Sequence, residues 1–217
     1  MVVSHRIFRN LAYAPQPAER PNGCNQGVRS MRILAISGSL RAGSSNTVLL
    51  RAAAELASGT MDIIMYGGLA DLPHFNPDLD NGTVALSVRD FRTQLQVTDG
   101  VLISSPEYAH GVPGVLKNAL DWVVASGELY DKPVALINAS RRSTHAQASL
   151  VETLTVMTAR LIPEASITLS LRCNKIDQGE ILSDPEISTA LRSGMQAFAL
   201  AIESRRDEKP VESISSE

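Results

Sequence analysis

Residues 31–46 read MRILAISGSLRAGSSN, and residues 100–122 read GVLISSPEYAHGVPGVLKNALDW. Each stretch opens on a short apolar run of strand length, passes into a loop of small and polar residues, and leads into an amphipathic segment. That is the signature of a βα unit. The same alternation continues along the chain. Strands are expected at 32–37, 62–65, 100–104, 133–139 and 165–171, and helices at 46–57, 83–97, 114–125, 146–160 and 184–206. Strands that alternate with helices build a parallel sheet. With right-handed crossovers the five favour the order 2-1-3-4-5, an α/β doubly wound sheet with helices on both faces. In such a sheet ligands settle beyond the carboxyl ends of the strands, at the switch point between strands one and three. The two quoted loops flank that point.

Around this core the chain has 217 residues, 44% of them hydrophobic, which suffices for one sizeable core but is short for two. A net charge of −3 leaves no surplus of cations to neutralise a nucleic-acid backbone. The two cysteines, Cys24 and Cys173, have no metal-ligand spacing and fit a reducing cytoplasm. His74 and His145 lack ligand-spaced partners, so no metal is expected. Apolar runs are strand-length, well below the ~18–20 residues of a membrane span. Residues 1–30 carry Arg6, Arg9, Arg20 and Arg29 against Glu19 and are broken by proline and glycine. They read as an addition from a mis-assigned start at a codon upstream of Met31, ahead of a disordered arm or a targeting segment. Residues 31–206 form the expected domain and 207–217 a frayed polar tail.

The first loop leads into a helix N-terminus, where unpaired N–H groups and the positive end of the helix dipole favour an anion. Ser39, Ser44 and Asn46 add neutral hydrogen-bonding groups, and Arg41 adds a cation suited to a terminal phosphate. The spacing matches neither GxGxxG nor GxxxxGK[ST]. The plainer reading of the same residues is helix capping and turning. In the second loop Pro106 and Pro113 restrict the backbone, Gly111 and Gly114 permit close approach, and Tyr108 offers a flat surface. These features suit a planar aromatic ligand.

Together the segments GSLRAGSSN and PEYAHGVPGVLKNALDW resemble the two signature motifs of the NADPH-dependent FMN reductase family, over residues 31–206. The resemblance implies a flavodoxin-like fold, FMN as cofactor and NAD(P)H as co-substrate. It places the FMN phosphate on Ser39, Arg41, Ser44 and Asn46, and the ring on Pro106, Glu107, Tyr108 and Ala109, with Ser140 in a third contacting loop. Many relatives have asparagine at the position of Ala109, and glycine-rich sequence where this chain has Arg141 and Arg142. Those arginines either approach the flavin or a nucleotide phosphate, or are solvated surface charges. The implied reaction is a ping-pong hydride relay from NAD(P)H to a small acceptor: a quinone, flavin, azo compound or metal oxyanion. An FMN electron carrier inert to NAD(P)H, and a relative without flavin, are the competing readings. Neither nucleic acid nor membrane is an expected partner; a homodimer or homotetramer is.

Other residues are expected in supporting roles. Lys117 and Asp121 lie one helical turn apart and can pair. Trp122 is assigned to burial. His110 either meets substrate or helps supply a proton near neutral pH, or is a solvated or structural loop residue, and the last is favoured. Residues 71–78 are a proline-broken loop whose Phe75 either shapes a substrate entrance or packs locally.

Overall fold

The computed structural model describes residues 30–208 apart from 58, 60 and 172–175. The cysteines, nearly all of the N-terminal segment and residues 209–217 lie outside the described residues. The strands are β1 (Met31–Ser37), β2 (Met61–Met65), β3 (Gly100–Ser104), β4 (Pro133–Asn138), β5 (Arg160–Leu161) and β6 (Ile167–Thr168). The helices are α1 (Ser45–Leu56), α2 (Leu86–Val97), α3 (Gly114–Val124), α4 (Thr144–Val156), α5 (Gln178–Ser183) and α6 (Pro185–Glu208). All strand pairings are parallel, in the order β2-β1-β3-β4-β5, with β6 also paired to β4.

The expected order is present, but the fifth strand is not the single run 165–171. It is divided between β5, which pairs with Pro133 and Val134, and β6, which pairs with Ile137 and Asn138. The cause is Pro163, which has no N–H for a ladder and starts a 3₁₀ turn over Pro163–Ala165. The gap is filled by a side chain: Ser166 Oγ accepts from the Leu136 N–H at 3.2 Å and donates to the Ile162 carbonyl at 2.9 Å. The helix expected over 146–160 runs instead over α4, ending four residues sooner. Thr158 there turns left-handed at φ 57°, and its carbonyl accepts from the Asp131 N–H. The helix expected from residue 83 begins at Leu86, because both the amide and the hydroxyl of Thr83 bond to Asn81 Oδ1. Helix α5, which the sequence reading lacks, opens with a capping box between Asp177 and Glu180. Helix α6 carries through Glu208, two residues into the expected tail.

The core follows the two-residue period of the strands. Ile33, Ala35, Leu102, Ala135 and Ile137 face α1, α5 and α6. Leu34, Ile36, Val101, Ile103, Val134 and Leu136 face α2, α3 and α4. Because β1, β3 and β4 are covered on both faces, their residues are buried almost without interruption, and only the loops at their carboxyl ends stay open.

Candidate active site

At those carboxyl ends the loops after β1, β3 and β4 close around a cavity of about 300 Å³. Its lining includes Ser39, Arg41, Ser44 and Asn46 from the first loop, Pro106, Glu107 and Tyr108 from the second, and Ser140 from the third. Eight of the nine residues singled out from sequence therefore meet in one place, brought there by parallel strands ending at the same level. Ala109 does not line the cavity; it is exposed at the tip of a turn. Ser45, Ser105, Ser143, Ala139 and Leu171 line it as well. Ser45 and Ser105 lay within the quoted motifs, whereas Leu171 reaches the cavity only through the broken fifth strand.

The first-loop wall is a collection of donors. Ser44, which precedes α1, makes no side-chain hydrogen bond to the helix, so its first-turn N–H groups have no side-chain cap. The turn before it is self-braced: the Arg41 N–H donates to Ser39 Oγ at 3.3 Å and the Ser44 N–H to the Arg41 carbonyl at 3.1 Å. The Arg41 guanidinium bends back to the Gly43 carbonyl at 2.8 Å. Asn46 is buried, and its Oδ1 accepts from Ser104 Oγ at 2.9 Å, which ties the start of α1 to the end of β3. Thr47 Oγ1 likewise donates to Ser37 Oγ at 2.8 Å. Gly38 allows the two loops to meet: a Cβ there would lie 2.7 Å from Ser105 Oγ and 3.1 Å from Leu116 Cδ2. Helix N–H groups, hydroxyls and one guanidinium, with no carboxylate on that wall, suit a phosphate monoester.

The second wall is held from behind. Glu107 is the one acid among the described residues lining the cavity, and its Oε2 accepts from the Ala146 N–H of α4 at 2.9 Å. Tyr108 and Gly111 exchange backbone hydrogen bonds of 3.1 and 3.0 Å, closing a turn in which Ala109 and His110 both have positive φ. Further along, Asn118 and Trp122 of α3 hold the loop that follows β2. Asn118 Oδ1 accepts from the Phe75 N–H at 2.7 Å, and the Asn118 amide and Trp122 Nε1 donate to the Pro73 carbonyl at 3.0 and 2.8 Å. Phe75 packs edge-on to the buried Trp122, centroids 5.1 Å apart, which is the local-packing role. Lys117 and Asp121 form the expected pair at 2.5 Å.

The third wall turns on Ser140, whose Oγ accepts from the Arg142 N–H at 3.2 Å and whose N–H donates to Asn138 Oδ1 at 3.1 Å. Arg142 is exposed. Arg141 is exposed and lines a separate hollow of about 390 Å³ together with Glu180, Asp184 and Glu186, and it does not line the main cavity. A larger, mostly apolar cavity of about 720 Å³ adjoins the main one, sharing Arg41 and Tyr108 and bounded by Leu40, Leu69, Leu72, Pro73, His74 and Pro113.

Residues 31–171, which supply all three walls, match the sequence profile of NADPH-dependent FMN reductase. The chain belongs to the NADPH-dependent FMN reductase family. Membership brings FMN as cofactor and NAD(P)H as co-substrate, and makes the protein an NAD(P)H-dependent oxidoreductase. Two relatives match this reductase over nearly their own full lengths. It is 32% identical over 176 residues to an NAD(P)H-dependent FMN reductase of Pseudomonas aeruginosa, covering 78% of this chain and 94% of the relative. It is 31% identical over 186 residues to an NAD(P)H:quinone oxidoreductase of Solanum tuberosum, covering 81% and 96%. Among solved structures, it resembles FerB, a flavoenzyme NAD(P)H:(acceptor) oxidoreductase from Paracoccus denitrificans. That likeness has a TM-score of 0.66 and 28% identity, covering 80% of this chain and 98% of FerB.

Proposed function

We propose that this reductase holds the FMN phosphate on Ser39, Arg41, Ser44 and Asn46, seats the ring against Pro106, Glu107 and Tyr108 with Ser140 nearby, and reduces a small planar acceptor. The observation that carries the reading is the convergence of these residues on one cavity whose first wall is built of N–H, hydroxyl and guanidinium donors. Bound there, FMN supplies the hydride chemistry between NAD(P)H and acceptor. The protein's own residues bind and orient. The uncapped turn of α1 and the Arg41 guanidinium complement a dianion, and the rigid Pro106–Tyr108 backbone presents a wall that need not rearrange during the reaction. No side-chain acid or base is required for hydride transfer, in keeping with a cavity in which Glu107 is turned onto a helix N–H.

The adjoining apolar cavity favours a flat, weakly polar acceptor, a quinone above a flavin, an azo compound or a metal oxyanion. The enzyme works in the cytoplasm. It pairs as a homodimer, alone or within a homotetramer, through the apolar groove between α3 and α4, where Val124, Tyr130 and Val156 stand 57, 70 and 71% exposed. Purified protein tests the reading directly. A yellow protein that oxidises NADPH or NADH with a quinone supports it; a yellow protein inert to both nucleotides is an electron carrier; a colourless one that refuses added FMN removes the proposal. Arg41→Ala should weaken FMN binding by about 1–3 kcal/mol, read by quenching of flavin fluorescence. Unchanged affinity would take Arg41 off the phosphate.

A further inference from the structure

The loop after β3, which supplies the second wall of the cavity, contains two adjacent non-glycine residues in the left-handed region, Ala109 at φ 49° and His110 at φ 59°. That conformation is uncommon for a residue with a Cβ and costs roughly 1–2 kcal/mol, so surrounding contacts help to hold it. Within the turn the restraint is the pair of backbone bonds between Tyr108 and Gly111. Two contacts reach outside it, and both land on the first turn of α4. The Glu107 carboxylate accepts from the Ala146 N–H at 2.9 Å, and the His110 ring stacks on His145 with centroids 4.2 Å apart and planes 18° from parallel. Ser143, in the capping position of α4, makes no side-chain cap of its own, so Glu107 supplies the acceptor that this helix start lacks.

We propose that His110 and His145 are positioning residues whose stacked rings, with Glu107, clasp the ring-facing loop to α4 and so hold two walls of the FMN cavity at a fixed separation. Neither imidazole lines the cavity; their effect passes through Tyr108 on one side and Ser140 and Ser143 on the other. The inference rests on the FMN reading above for its functional consequence, but not for the clasp itself, which is made of contacts between the chain's own residues. Stacking, not titration, carries it, so a phenyl ring should replace an imidazole.

The test uses the full chain in two states. In cofactor-free protein, hydrogen exchange across residues 106–114 should quicken at least about threefold in His110→Ala and His145→Ala. In His145→Phe it should stay near wild type. With FMN added, the alanine variants should bind about tenfold more weakly and show an altered visible circular-dichroism band of the bound flavin, while His145→Phe retains both. Unchanged exchange and unchanged FMN affinity in both alanine variants would overturn the proposal. So would a phenylalanine variant as loose as the alanine one. His110→Phe repeats the comparison from the other ring should His145→Ala fold poorly. If wild-type protein bound no FMN, the functional reading would fall, and the exchange data would still decide the clasp.

Discussion

Ala109 shows how a residue's neighbours decide what its motif position means. The family resemblance implies that it meets the ring through its backbone, and the structure places it exposed at the tip of a turn with φ 49°, a conformation that costs an alanine about 1–2 kcal/mol. Asparagine tolerates that region, because its short polar side chain bonds to nearby backbone. Ala109→Asn should therefore stabilise the cofactor-free protein by on the order of 0.5 kcal/mol, measured by urea denaturation. A loss of stability would mean that the turn is not left-handed there. Glu107 carries a related lesson. As a motif residue it reads as a ring contact, but its carboxylate is spent on the Ala146 N–H, and what it offers the cavity is a fixed backbone. Nothing in the spacing of residues 107 and 146 announces that bond, since only the packing of the second loop against α4 creates it. The His110–His145 stack was out of reach for the same reason.

At the scale of elements, the sequence reading succeeds where period and composition agree and fails where one residue breaks a ladder. Strands β1 and β3 were legible to within a residue because unbroken apolar runs bounded by small residues admit little else. The fifth strand is expected only past Pro163, over 165–171, whereas its first pairing, β5, falls on Arg160–Leu161 at the expected end of a helix. The break between β5 and β6 lies at Pro163, which has no N–H to pair. Helix α6 packs over this break, and Gly194 marks the contact: a Cβ on it would run into the Ile167 side chain of β6 and lie 3.3 Å from the Ala165 carbonyl. In an exposed helix, glycine to alanine gains about 1 kcal/mol. Here Gly194→Ala should instead destabilise by roughly 1–3 kcal/mol, because the helix must lift from the sheet. Thermal unfolding of the variant checks this, and a raised midpoint would show that α6 is not seated so closely.

Across the whole molecule, the two ends of the sheet are put to different uses. The carboxyl ends hold the cavity, while the opposite end is tied by ion pairs. Asp131 takes Arg160 Nε at 2.9 Å and Arg205 Nε at 3.1 Å, and Asp99 takes the Arg32 N–H and Arg206, both at 2.8 Å. Desolvation works to raise the Asp131 carboxyl, but its hydrogen bonds from Arg160 and Arg205 win and hold it below the usual aspartate value. A carboxyl depressed in the folded state contributes stability above its unfolded pKa of about 3.9, and that contribution is lost as pH falls through the folded value. The melting temperature of Asp131→Asn should consequently fall less steeply than wild type below about pH 4. Parallel slopes would show that the pairs contribute nothing, as exposed pairs often do. On the flank, Val156→Asp places a charge in the α3–α4 groove and should convert the proposed dimer to monomer in sedimentation. A wild-type protein that is itself monomeric would remove that face from consideration.

The alternation of strand and helix, the 2-1-3-4-5 order and the two loops that line the cavity were legible in the sequence alone, because side-chain period, small residues and local motifs act over a few residues at a time. The tertiary structure decided where those residues end up: Asn46 bonded to Ser104, Glu107 to α4, Arg141 in a separate hollow, Ala109 exposed at the tip of its turn. Each of these depends on partners far off in the chain, whose approach is fixed only when the helices pack onto the sheet.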